Sequence, residues 1–211
     1  MMPVDLWALE KMAWENGHAR IAGIDEAGRG PLAGPVVSAS VILPPDASIP
    51  DINDSKQLSP AKRGTLYQLI YAQAISIGVG IVDAAEIDRI NILQASLLSM
   101  SMATDNLRPP PDWLLIDGLF RIPSHLPQQP VPKGDTLSIS IAAASIVAKV
   151  TRDRMMERYD LDYPEYGFSR HKGYPTRAHR EAIRKHGCCP IHRRSFKGVE
   201  TPDTSPLSPN R

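Results

Sequence analysis

A chain of 211 residues with 42% hydrophobic and 22% charged residues can build one domain with a substantial core and is too apolar for wholesale disorder. No apolar run reaches bilayer-spanning length, and Asp5, Glu10, Lys11 and Glu15 interrupt the first helix candidate; this excludes a membrane partner and a secretory signal and points to the cytoplasm. The formal charge of +1 hides a division, because residues 1–148 sum to −5 and residues 149–197 to +7. A basic segment complements a phosphate backbone while acids gathered elsewhere can hold metal, which suits a nuclease better than a mere binder of nucleic acid.

In chain order, residues 4–14 read as a short amphipathic helix. Residues 21–24 and 36–43 read as strands separated by a glycine turn. Ser59-Pro60 starts a helix reaching residue 72, a strand follows over 75–82, and a longer helix runs over 92–106 until Pro109, Pro110 and Pro111 end it. The apolar run 113–116 is a buried-strand pattern ended by Asp117-Gly118. Residues 123–132 read as an irregular connection. The spacing predicts helices over 138–159 and 176–185, the first with a thin face of Ala142, Ala143, Ala144 and Ser145 that can sit close against a sheet. The order of elements favours an α/β layer architecture. We divide the chain into an N-terminal helical extension (1–18), a catalytic domain (19–197) and a disordered tail (198–211) rich in Pro, Ser and Thr.

The chemistry is concentrated in GIDEAGRGPLAGP at residues 23–35. Asp25 and Glu26 repel each other unless one protonates or a cation neutralises both, and hard divalent ions prefer oxygen ligands. Gly28 and Gly30 let backbone N–H groups crowd against a phosphate or sugar, and Arg29 offers forked donors to a phosphate oxygen. Successive strand side chains point to opposite faces, so Asp25 and Glu26 ligate together through side chains only if the strand has begun to turn.

This string resembles ribonuclease HII, and the resemblance runs from about residue 21 to residue 196. NDSKQLS at 53–59, LLIDG at 114–118, KGD at 133–135, SIAAASIVAKVTRDR at 140–154, YGFSRHKGYPT at 166–176 and HRRSF at 192–196 carry it in order. It implies the ribonuclease H-like fold, a central mixed β-sheet flanked by helices, with a helical basic C-terminal segment. It further implies an endonuclease that cuts the RNA strand of RNA–DNA hybrids and incises DNA 5′ to embedded ribonucleotides, leaving 5′-phosphate and 3′-hydroxyl ends. Carried over residue by residue, the four acids of its metal site are Asp25, Glu26, Asp117 and Asp135, serving Mg²⁺ or Mn²⁺. The Gly28-Arg29-Gly30 backbone and Tyr174 would read the ribonucleotide and its junction with DNA. Lys56, Lys149, Arg152 and Lys172 are candidates for phosphate contacts.

His171, His179, His186 and His192 lie in the basic segment beside Cys188 and Cys189. Their spacings do not match a structural zinc module; His179 and His186 fall on one helix face suited to solvent or phosphate, and the adjacent cysteines read as free thiols. The related ribonuclease HIII carries an added N-terminal domain, whereas only about 20 residues precede Ile21. A catalytically dead hybrid binder would lack one or more of the four acids, and all four are present. A phosphate-loop NTPase is excluded because no Gly-Lys-Ser or Gly-Lys-Thr ends the glycine turn. A monomer is expected. Some relatives bind the replication clamp through an aromatic C-terminal peptide, but this tail has no aromatic residue and does not support such tethering.

Overall fold

A computed structural model describes residues 5–52 and 58–199; Lys56 and the tail from residue 200 onward lie outside the described residues. The first helix, α1 (Ala8–Glu15), starts later than its sequence pattern suggests. Strand β1 (Ile21–Ala27) is longer than expected and includes both Asp25 and Glu26. It pairs antiparallel with β2 (Val36–Ile42), a wholly buried strand, which pairs antiparallel with β3 (Ser76–Val82). On its other side β1 pairs in parallel with β4 (Trp113–Asp117), and β4 with β5 (Gln128–Val131). The sheet is therefore mixed, in the order β3-β2-β1-β4-β5.

Strand β5 corrects the reading of residues 123–132 as irregular. Pro130 removes a ladder donor, which only an edge strand tolerates, and β5 stands at the edge.

The helices follow local capping chemistry. Ser59 accepts from the Lys62 N–H and starts α2 (Pro60–Gln73), with proline in its first turn. Asp83 caps a helix not foreseen, α3 (Ala84–Ile90). Asn91, at φ 67°, ends α3 and accepts from Leu93 and Gln94 to begin α4 (Ile92–Asp105). Ser138 caps α5 (Ile139–Asp162); α6 (Phe168–His171) and α7 (Arg177–His186) complete the chain's helices among the described residues.

The sheet is covered on both faces. Ile24, Leu114 and Ile116 pack with Met100 of α4, while Ala39 and Val41 pack with the alanine run of α5 and with Leu66 and Ile70 of α2. Gly23 shows how closely α5 approaches: a Cβ there would lie 2.1 Å from the Ser140 carbonyl carbon. Helix α1 is fastened to the same region. Ala13 shares a core cluster with Ile21, Leu115 and Ile141, and buried Glu10 accepts from the Ser138 hydroxyl (2.6 Å) and the Ser140 N–H (3.1 Å) at the start of α5.

Candidate active site

The ends of β1 and β4 bring the acids together. Their parallel register pairs Ile24 with Ile116, so the next residues, Asp25 and Asp117, stand side by side. Strand alternation puts Asp25 on the Gly23 face, against α5, and Glu26 on the α4 face, where it shares a cleft with Leu93, Leu97 and Met100. The strand does not turn before Glu26, yet Glu26 also lines a cleft with Asp117 and another with Ser145, so all three acids meet at the strand ends.

Asp25 is 4% exposed. Its Oδ1 accepts from the Glu26 N–H at 2.7 Å, and Ser145 of α5 hydrogen-bonds its carboxylate. Burial pushes the Asp25 carboxyl well above the usual carboxylate range, and the charges of Glu26 and Asp117 push the same way. Burial also raises Glu26; the Arg29 guanidinium, 3.3 Å away, opposes this and Asp117 adds to it. Asp117 thus acts on both neighbours. Its Oδ1 accepts from the Gly134 N–H at 2.7 Å, which ties β4 to the 3₁₀ turn Gly134–Thr136 carrying buried Asp135.

These acids suit a cation by their chemistry: desolvated carboxylates repel each other, and an ion beside them would remove the cost. Among the described residues no three Asp, Glu, His or Cys side chains form a ready metal cluster. The Asp25–Asp117 pair fits the habit of Mg²⁺, which binds one or two carboxylates and completes its shell with water and phosphate oxygens.

Beside the acids, Glu26, Gly28, Arg29, Gly30, Ser145, Lys149 and Tyr174 line one cleft. Gly28 has φ +102°, and a Cβ on it would strike the Arg152 Nε at 2.1 Å, so only glycine fits. Tyr174 is 43% exposed, and a Cβ on Gly30 would lie 3.7 Å from its ring edge. Lys149 is bonded to Asp153 and Lys172 to Glu157, each at 2.7 Å.

Two assignments change. Arg152 was a candidate for phosphate, but it is 1% exposed and donates through Nε to Pro35 O, Nη1 to Lys172 O and Nη2 to Ala33 O, at 2.9–3.0 Å. It holds the backbone instead. His179, assigned to a solvent or phosphate face, is fully buried because α7 packs that face against Phe168 and His192.

The histidines form a chain whose tautomers are fixed by its ends. The Cys189 N–H donates to His192 Nδ1 (3.0 Å), so His192 carries its proton on Nε2 and donates to His179 Nε2 (3.1 Å). His179 then donates from Nδ1 to the Tyr174 carbonyl (2.9 Å). Burial lowers both histidines to about 4, keeping them neutral. Burial pushes the Cys189 thiol up to about 11, and neither Cys188 nor Cys189 is in a disulfide.

Sequence reasoning gave Ser145 and Arg193 no part in the candidate site and weighed His192 only for zinc. The available signals were a serine closing the alanine run of α5 and the HRRSF string, which carried the resemblance without a role for its residues.

Comparison with known proteins shows the family and the fold. The family model described as Ribonuclease HII matches residues 22–199. Ribonuclease HII of Geobacter metallireducens is 57% identical over 195 residues, 92% of each chain. Among solved structures, ribonuclease H2 from Pyrococcus horikoshii OT3 superposes with a TM-score of 0.71 at 28% identity, covering 86% of this chain and 95% of that one. RNase HII from Archaeoglobus fulgidus, solved in complex with PCNA, gives 0.70 at 26% identity, covering 85% and 96%.

Proposed function

The chain belongs to the ribonuclease HII family and is a ribonuclease H-type nuclease, and from that premise we propose that it cuts RNA strands in RNA–DNA hybrids and incises DNA 5′ to embedded ribonucleotides, using Mg²⁺ or Mn²⁺. The observation that carries this reading is the placement of Asp25 beside Asp117, next to a glycine turn and an exposed tyrosine.

In this proposal Asp25 and Asp117 hold the ion directly, Asp135 approaches from the 3₁₀ turn, and Glu26 joins them from the cleft it shares with Asp117. When bound, the divalent cation supplies Lewis-acid stabilisation to the attacking and departing oxygens. Ser145 and the Glu26 N–H fix the Asp25 carboxylate, and the Gly134 N–H fixes that of Asp117, so neither reorients when substrate arrives. The Gly28-Arg29-Gly30 backbone reads the ribose, and the Tyr174 ring packs on the following deoxyribose. Lys149 and Lys172, with Lys56 from outside the described residues, meet phosphates and set register rather than base preference. Products carry 5′-phosphate and 3′-hydroxyl ends. We assign action as a monomer in the cytoplasm; no described helix is long and apolar enough to cross a membrane. Clamp binding is left out of the proposal, because the tail that prompted the question lies beyond residue 199.

The test is cleavage of a DNA duplex with one embedded ribonucleotide, with Mg²⁺, Mn²⁺ or chelator, beside a long hybrid, all-DNA and all-RNA duplexes and an Asp117→Asn control. Metal-dependent incision 5′ to the ribonucleotide, lost in the control while hybrid binding remains, supports the proposal. Cutting of long hybrids alone would remove the junction-reading roles of Gly28, Arg29, Gly30 and Tyr174. Full activity of Asp117→Asn would remove the metal assignment.

A further inference from the structure

HRRSF at 192–196 contains the most deeply placed cation near the site. Arg193 has no exposed surface, and among the described residues no carboxylate lies within ion-pair distance of it. Burial and the neighbouring Arg152 lower its pKa to about 9, which leaves it charged at neutral pH. A bare buried cation is costly, so its solvation must come from the protein. Four carbonyls supply it. Nη2 donates to Gly28 O (2.6 Å), Nη1 to Arg29 O (3.0 Å) and Pro31 O (2.9 Å), and Nε to Gly34 O (2.9 Å), while the Phe196 ring lies 5.0 Å from the guanidinium carbon. All four acceptors belong to the glycine turn and the loop that follows it.

The consequence concerns the other side of each peptide. In a planar trans peptide the N–H points opposite to the preceding C=O. With the Gly28 and Arg29 carbonyls drawn to the guanidinium, the N–H groups of Arg29 and Gly30 face away from it, and Arg29 and Gly30 line the cleft shared with Tyr174. Neither N–H has an acceptor among the described residues. Two aimed, unengaged donors beside an exposed tyrosine match a hydroxyl that can accept hydrogen bonds, such as the ribose 2′-oxygen.

We infer that Arg193 is a positioning residue that sets ribonucleotide selection by turning the Arg29 and Gly30 N–H groups toward the 2′-oxygen. This rests on the glycine turn being the ribose reader, as proposed above. The fork itself is held in place from several sides. Arg193 N–H donates to Leu32 O and Gly34 N–H to Ile191 O, both at 2.8 Å, and Asp88 accepts from the Arg194 and Ser195 N–H groups at 2.8 and 2.9 Å. A lysine keeps the charge but cannot reach four carbonyls through a planar fork, so Arg193→Lys separates orientation from charge.

The experiment compares wild type and Arg193→Lys for binding, in chelator, to a DNA duplex with one ribonucleotide and to the same duplex with deoxyribose throughout, together with kcat/KM on the first. Arg193→Lys should keep wild-type affinity and salt dependence for all-DNA duplex, lose the ribonucleotide preference, and fall about a hundredfold in kcat/KM. A purely structural role would instead lower both affinities together with Tm. A folded Arg193→Lys that retains the wild-type preference overturns the inference alone. Wild type that shows no preference overturns the ribose-reading role of the turn, and this inference with it. If Arg193→Lys fails to fold, Asp88→Ala releases the 194–195 backbone without touching the fork and should reduce the same preference; a folded Asp88→Ala with an unchanged preference is then the overturning result.

Discussion

At the end of β1 and β4, Asp25 and Asp117 are held by hydrogen bonds from N–H groups and, for Asp25, Ser145, with no cation among those partners. In the segment 149–197 the situation is reversed: Lys149 and Lys172 are paired with carboxylates, and Arg152 and Arg193 are enclosed by carbonyls. Formal charge suggests a basic surface waiting for phosphate. The structure shows instead that its two buried arginines, Arg152 and Arg193, brace backbone, while electrostatic tension is concentrated at the acids. Strained groups of this kind mark sites where stability is given up for function.

The largest expected effect comes from removing that tension. Asp25→Asn should lower cleavage at least about a thousandfold, roughly 4 kcal/mol of barrier, yet leave metal-free Tm unchanged or raised. The sign follows from the raised Asp25 pKa: ionisation costs stability as pH rises through the folded value, and an amide has no such cost. Calorimetry in chelator beside a cleavage assay checks both halves; a large loss of Tm would show that the carboxylate is a structural element.

On the other side of the comparison, Arg152→Lys should cost roughly 3 kcal/mol in denaturant unfolding, since buried carbonyls lose their donors. A loss below about 1 kcal/mol, with substrate binding weakened instead, would return Arg152 to the phosphate contacts.

The histidine chain predicts acid sensitivity in the same segment. His179 and His192 are lowered to about 4 from an ordinary 6.5, so the unfolded chain binds protons that the folded one refuses. Their stabilising contribution is complete above about 6.5 and is lost as pH falls toward 4. Tm should drop by roughly 10 °C or more over that window, and His192→Gln should flatten the profile.

The smallest effect belongs to Lys149. Lys149→Ala should weaken duplex binding a few-fold and reduce the salt slope by about 1, whereas Asp153→Asn, which frees the ammonium group, should tighten binding. Filter binding at several salt concentrations distinguishes them.

Local signals placed the acids but did not assign them. Asp117 ends an apolar run before glycine and Asp25 follows the run read as a strand over 21–24, whereas their assignment to a shared metal site came from the family resemblance and not from local pattern. The sheet edge was not legible, because Pro130 is a loop signal that only edge position overrides. Nor were the buried cations. Arg193 meets Arg29 O across 164 residues, and no local pattern tells a guanidinium bound for carbonyls from one bound for phosphate. His179 was misplaced for the same reason, its partner His192 lying beyond the end of its own helix.

Glu10 gives the N-terminal helix a place in the order of assembly. Its partners Ser138 and Ser140 lie 128 and 130 residues downstream, so this anchor of α1 cannot form until the start of α5 is in place. Contacts of such long sequence range close late. When α1 docks, its carboxylate settles on the positive end of α5, the helix that carries Ser145 to Asp25, so α1 becomes a latch at the back of the candidate site.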